Sequence, residues 1–380
     1  MLPPRWVRRL VLAPAVPLLT LLLITSLPLT LLVAAFASPV LPGRLRPLRI
    51  LLFLVVFLLA ESVALLALLV LWLASGFGRH LGRERWQAAH YAVMRTYLAA
   101  LFVTARRTFR LAVSLDDEQA LPVEPGELDG LDGPDPDGGR PGPVVVLSRH
   151  AGPGDSFLLV HGLLQRRLRP RIVLREDLQW APALDVGLNR IPTYFVASGA
   201  PSGTGTAAVA ALAAGLGPLD ALVLFPEGRN FTPARRLHSI ARLEELDRHA
   251  DAERAREMRH VLAPRTGGAL AALSAAPHAD VVFVAHTGLE DLSSAVDLWR
   301  GLPMDSQVEV QAWRVPAAEV PGDRVGAESW LFGWWRRIDA WLLDRHGPGA
   351  IPDAVVDAVV ETGGVEPGDE PPADGPSADS

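Results

Sequence analysis

Two long apolar stretches open the chain, and their patterning differs. Residues 10–40 are interrupted by Pro14, Pro17 and Pro28, whereas residues 50–73 run with one charged side chain, Glu61. A helix rises about 1.5 Å per residue, so the second stretch exceeds the roughly 30 Å of a bilayer core. The first is too long for the apolar part of a cleaved signal peptide, and a second span follows at once. Residues 1–80 therefore read as a membrane anchor of one or two transmembrane helices. Arginines flank both stretches: Arg5, Arg8 and Arg9 before, Arg44, Arg46 and Arg49 between, Arg79, Arg83 and Arg85 after. With positive charge on every side, the positive-inside rule selects no topology outright. A helical hairpin with both ends cytoplasmic is the expectation, and a proline-rich first segment lying in the membrane without crossing is the alternative.

A helical period takes over in residues 81–115. Trp86, His90, Tyr91, Met94, Tyr97, Leu98, Leu101 and Phe102 recur at helical spacing, and the segment ends in Arg106, Arg107 and Arg110. That is an amphipathic helix whose apolar face needs a partner, either a folded domain or the bilayer surface. Residues 116–143 lose all periodicity and are rich in turn formers, which marks a linker. Short all-apolar runs then alternate with helical ones. Residues 144–148, 171–174, 192–197, 221–225 and 281–285 read as strands, 157–168 and 205–216 as helices, and 234–262 as a charged helical stretch. All-apolar strands between helices predict an α/β domain, residues 144–346, with a covered sheet. Within it, SWLFGWWRRIDAWLL (329–343) sets Trp330, Trp334, Trp335 and Trp341 in a helical stretch, for core packing or for an interfacial belt. Residues 347–380 form an acidic, largely disordered tail.

Charge sharpens this picture. A formal net charge of −6 gives no electrostatic footprint for a nucleic-acid partner. Basic residues crowd beside the apolar stretches, which suits an anionic bilayer surface, while acids crowd the linker and the tail. The sequence contains no cysteine, which excludes disulfides and thiolate metal sites.

Candidate chemistry begins at LSRHAGPGD, residues 147–155. His150 and Asp155 follow a buried strand, and the intervening AGPG favours a tight turn that brings their side chains within hydrogen-bond reach. A carboxylate on one imidazole nitrogen fixes the tautomer and leaves the other nitrogen as a base for a substrate hydroxyl. Among ten histidines, a match to this spacing arises by chance about half the time; HTGLED, residues 286–291, is a second one. The other notable stretch is ALVLFPEGRNFTPARR, residues 221–236, where a strand runs into Pro-Glu-Gly and a cluster of arginines. Gly228 permits close backbone approach to a ligand. Arg229, Arg235 and Arg236 suit phosphate by charge and forked geometry, although solvated arginines around a β-turn are the simpler account. SGAPSGTGT, residues 198–206, lacks the lysine and spacing of a P-loop, and no Gly-x-Ser-x-Gly elbow marks a serine hydrolase.

His-x4-Asp after a strand, followed downstream by a strand and FPEG, resembles the glycerolipid acyltransferases over roughly residues 144–300. These are the 1-acylglycerol-3-phosphate acyltransferases and their lysophospholipid relatives. FPEGRNFTPARRLHSIAR with HVLAPRTGG (260–268) is similar to the branch containing the lysophosphatidylinositol and lysocardiolipin acyltransferases. The resemblance implies an α/β domain with a mixed sheet covered by helices, behind N-terminal transmembrane helices. It implies that His150 deprotonates the hydroxyl of a lysophospholipid, which attacks the thioester of acyl-CoA or acyl carrier protein while Asp155 orients the imidazole. Glu227 and Gly228 carry over as acceptor-binding and site-shaping residues. His286 falls in a segment bordering the site, and Asp291 has no role.

No metal and no cofactor beyond the acyl co-substrate are implied. The expected partners are the acceptor lipid, the thioester donor and the bilayer, at the cell membrane with the catalytic domain cytoplasmic. Departures from the family pattern concentrate on phosphate binding. Arg149 stands where Asn is frequent, Arg229-Asn230 where Thr-Arg is, Ser198 where an arginine is usual, and Ala285 where a proline is common. Arg175 or Arg190 is the expected substitute for the missing arginine. These changes point to an acceptor other than plain lysophosphatidic acid. Two other functions remain open, acylation of a glycolipid sugar hydroxyl and lipid binding by a catalytically weakened relative.

Overall fold

The computed structural model describes residues 2–346 apart from 42, 44, 117–141, 153, 198–204, 291–301, 303 and 306. The tail, nearly all of the linker, Ser198 and Asp291 lie outside the described residues. The described strands, in chain order, are Ala112–Asp116 (β1), Val144–Ser148 (β2), Arg169–Arg175 (β3), Thr193–Val196 (β4), Asp220–Leu224 (β5), Asp280–Thr287 (β6) and Gln307–Val315 (β7). They form one sheet of order β1-β7-β6-β2-β5-β3-β4. From β6 to β4 every pairing is parallel; β7 runs antiparallel to β6, and β1 parallel to β7. The sheet is therefore mixed, as expected.

Both faces are covered, which is why β2 is buried at every position. Successive side chains of a strand point to opposite faces, and the core divides accordingly. Val145, Leu147, Leu222, Leu224 and Phe283 pack with helices Thr206–Ala213 (α7), Pro233–Glu245 (α8), His249–Glu257 (α9), Thr266–Ala275 (α10) and Arg324–His346 (α11). Val144, Val146, Val223, Val282 and Val284 pack with Arg46–Ala74 (α3), Glu84–Phe109 (α4), Asp155–Gln165 (α5) and Pro182–Leu188 (α6). The chain leaves β2 towards one face through α5 and leaves the adjacent β5 towards the other through α8. Such a divergence opens a crevice at the carboxyl ends of the two strands.

Several elements differ from the sequence reading. Residues 112–116 form an edge strand, so the sheet recruits chain from before the linker. β7 was not anticipated either. The charged stretch divides at Asp247, whose φ of 56° breaks the helix, and Thr232 caps α8 by accepting the Arg235 N–H at 3.2 Å. The amphipathic helix α4 spends its apolar face on the domain: Tyr91, Met94, Tyr97 and Leu98 are buried in the core. The tryptophans of α11 pack on the sheet likewise. Trp335 is fully buried, and Trp334 stacks on Phe283 with ring centroids 4.4 Å apart.

At the N-terminus, Arg5–Thr25 (α1) and Arg46–Ala74 (α3) are long and apolar enough to cross a membrane, with Leu27–Ala37 (α2) between them. Only 17 % of each apolar window is buried, which separates both helices from the core helices of a water-soluble domain. The face of α3 bearing Ala64 and Leu68 nevertheless belongs to the domain core. Glu61 on that face is fully buried; it accepts the Tyr97 hydroxyl at 2.6 Å and the Ala183 N–H at 2.9 Å.

Candidate active site

The turn after β2 is built around the Asp155 carboxylate. Its Oδ2 accepts the N–H groups of Ala151 (2.8 Å) and Gly152 (3.1 Å), and its Oδ1 accepts the Ser156 N–H at 2.5 Å. The chain thus folds back on its own side chain, and α5 begins at the same residue, where its N-terminus favours negative charge. His150 Nδ1–H donates to Oδ2 at 2.8 Å. Burial alone would raise the Asp155 carboxyl. The hydrogen bond and charge of His150, the charge of His286 and the Gly152 N–H outweigh it and hold the group below the ordinary carboxylate range. Against an ionised Asp155 the Nδ1 atom must be the donor, which leaves the lone pair on Nε2. Among the described residues no protein group hydrogen-bonds Nε2. The His150 side chain is 18 % exposed, with its ring against Phe225 at 4.7 Å between centroids.

The FPEG turn after β5 is stitched directly to this histidine. Glu227 is buried, and its Oε1 accepts the His150 N–H while Oε2 accepts the Leu262 N–H, both at 3.0 Å. Phe231 N–H donates to the His150 carbonyl, and Arg265 N–H donates to the Pro226 carbonyl, both at 2.8 Å. One carboxylate therefore clamps three segments, LSRHAGPGD, FPEG and HVLAPRTGG. Burial pushes the Glu227 carboxyl up to about 7, against Arg149 and the two backbone donors that favour its ionised form. Gly228 sits at φ 72°, and a Cβ there would meet Arg265 Nε at 3.1 Å. The position thus requires glycine for its backbone angle, and the Arg265 side chain lies close against it.

The arginines separate into two groups. Arg229 is exposed beside the turn, close enough to Arg265 for its charge, after burial, to lower the Arg265 guanidinium from its usual value. Among the described residues, nothing accepts a hydrogen bond from the Arg265 side chain. Arg236 is spent on the carbonyls of Met258 (2.5 Å) and Arg256 (2.9 Å), and Arg235 donates to the Asn230 carbonyl at 3.3 Å. Arg175 ends β3, two strands from β2, and pairs with Asp177 at 2.7 Å in solvent. Arg190 donates to the Leu68 carbonyl of α3 at 2.6 Å. The structure brings His150, Asp155, Glu227 and Gly228 together at the ends of β2 and β5, with Arg229 next in the same turn, and places Arg175 and Arg190 in other contacts.

Two further residues shape the site from behind. Arg149 is buried; it donates to the His286 carbonyl and pairs with Glu290 at 2.7 Å. His286 is also buried, with Nε2–H donating to the Arg149 carbonyl at 3.2 Å and lying 3.7 Å from Asp155 Oδ2. Burial, then the Arg149 charge, lowers its imidazole from the ordinary value against the opposing pull of the Asp155 carboxylate. The HTGLED histidine is thus adjacent to the dyad but faces away from solvent. Its place follows from β6 pairing with β2, which local spacing does not encode.

Among the described residues, the arrangement pairs the His150 imidazole with a carboxylate and brings no serine hydroxyl onto its Nε2. Ser148 Oγ donates to the Arg149 carbonyl at 3.0 Å and Ser156 Oγ to Asp155 Oδ1 at 3.2 Å, so neither adjacent hydroxyl is bonded to Nε2. Among the described residues no group of three or more His, Asp or Glu is placed to hold a metal ion. Compared with protein-family models, curated proteins and solved structures, the chain matches none.

Proposed function

We propose that the protein is a membrane-associated O-acyltransferase that esterifies a lysophospholipid hydroxyl with the acyl group of acyl-CoA or acyl carrier protein. The observation that carries this reading is the 2.8 Å His150–Asp155 bond, with no serine or other protein group on Nε2 among the described residues. The acceptor hydroxyl gives its proton to Nε2 as its oxygen attacks the thioester carbonyl. The tetrahedral adduct then collapses, the carbon–sulfur bond breaks, and the thiolate takes the proton back from the imidazolium. Asp155 stabilises the transient charge and holds the tautomer. Glu227 holds the backbone of the histidine in register. The acceptor's phosphate is assigned to the neighbourhood of Arg265, whose guanidinium lies close enough to Arg229 to feel its charge and whose forked donors suit a phosphate.

The test is acyl transfer from labelled acyl-CoA and acyl carrier protein by the purified, detergent-solubilised full chain to a panel of lysophospholipids and glycolipids. His150→Ala is expected to lower the rate by about 10²–10⁴-fold. His286→Gln, which keeps a buried polar group in place, retains most of it. Labelling of a glycolipid in place of every lysophospholipid, or full activity of His150→Ala, overturns the proposal.

A further inference from the structure

We infer that the N-terminal apolar helices do not cross the bilayer but lie lengthwise against the α/β domain, with only their outer side in one leaflet. The inference is independent of the reaction proposed above. A helix of the length of α3 rises about 43 Å, more than a bilayer core needs. Both its ends and its middle are nevertheless tied to the domain. At its start, Arg46 Nε donates to the Leu302 carbonyl at 3.0 Å and Arg49 to the Thr108 carbonyl at 2.6 Å. At its middle, Glu61 accepts from Tyr97 and from Ala183 N–H. Towards its end, the Leu68 carbonyl accepts from Arg190.

Connectivity adds an independent constraint. α1 precedes α3 in a hairpin, so two crossings would place the start of α1 and the start of α3 on opposite sides of the membrane. Both starts bond to the domain: Arg8 at the beginning of α1 reaches Gln179 and Asp185, each at 2.9 Å, and Arg46 reaches Leu302. A domain folded in water cannot meet both across a hydrocarbon layer. The opposite side of the helices is uncovered and apolar, with Leu18, Leu21, Leu22, Leu29, Val33 and Phe36 all exposed. That surface exceeds what a protein leaves in water, and exposed Arg5 and Trp6 at its edge suit a headgroup layer. Lipid is its occupant. The membrane-crossing hairpin with both ends cytoplasmic thus gives way to a flat one.

The chain contains no cysteine, so single thiols report position cleanly. Val40→Cys lies in the turn before α3, Gly82→Cys lies beyond the end of α3 where a Cβ meets nothing within 4 Å, and Ser274→Cys marks the domain. Each full-length variant is labelled with a membrane-impermeant maleimide in intact cells and in inverted vesicles. All three are expected to label from the same side. Labelling of Val40→Cys from the side opposite Ser274→Cys overturns the inference. Glu61→Leu provides a second reading. A helix spanning lipid loses an unfavourable charge and its protein melts no lower, whereas a docked helix loses the bonds to Tyr97 and Ala183 and the domain melts several degrees lower. An unchanged or higher melting temperature counts against docking.

Discussion

At the scale of single residues, the site turns on which atoms are already spoken for. Glu227 resembles a substrate ligand in sequence, yet both of its oxygens are occupied by backbone N–H groups. Glu227→Gln necessarily turns one NH₂ toward a backbone donor. We expect a stability loss of about 1–3 kcal/mol, read by denaturant unfolding, together with a loss of activity because the His150 backbone is released. An equally stable Gln variant would show that the clamp is not structural. Arg265 is the converse case, a side chain with no acceptor among the described residues. Arg265→Ala should leave thermal unfolding nearly unchanged while raising the KM for a phosphate-bearing acceptor about tenfold or more, the worth of a charge-assisted hydrogen bond. A rise confined to the KM for acyl-CoA would move the phosphate site to the donor.

At the scale of elements, legibility follows burial. β2, β5 and β6 declared themselves as apolar runs because both of their faces are covered. β1 and β7 did not: as AVSLD and QVEVQAWRV they mix polar and apolar positions and are half-buried at one side of the sheet, a pattern that loops and amphipathic segments share. The dyad was readable because Asp155 lies one tight turn from His150. Arg149, His286 and Leu262 were not readable as partners, since their contacts depend on which strands lie side by side. The α11 tryptophans left two environments open in sequence, and packing on Phe283 decides for the core. Trp335→Ala is therefore expected to cost about 3–5 kcal/mol. Trp335→Phe should cost far less, because the indole nitrogen it removes is buried without a partner among the described residues. Equal losses for the two variants, measured by denaturant unfolding, would contradict core packing.

At the scale of the whole molecule, buried titratable groups set opposing pH trends. Burial, and then the Arg106 charge, holds the His161 imidazole down to about 4; burial and Arg149 lower His286, and burial foremost lowers His260 despite Asp339. The unfolded chain protonates such histidines near about 6.5, well before the native state does. Between about 6.5 and 4 the unfolded state therefore binds more protons, and stability falls as pH falls through that window. Glu227 and Asp339, both raised chiefly by burial, work the other way: the native state holds their protons longer, so their contribution declines as pH rises from the ordinary carboxylate range. Asp155, held low, contributes stability above that range and loses it only in stronger acid. His161 is the cleanest probe, since it lies on α5 with its ring 4.3 Å from that of Phe102 and plays no part in the proposed chemistry. His161→Phe keeps an aromatic ring there and removes the titration. The slope of unfolding free energy against pH should flatten between pH 6.5 and about 4 in this variant, as the linkage of its lowered pKa requires. An unaltered slope would mean that His161 protonates alike in both states, and that the acid sensitivity of the fold arises elsewhere.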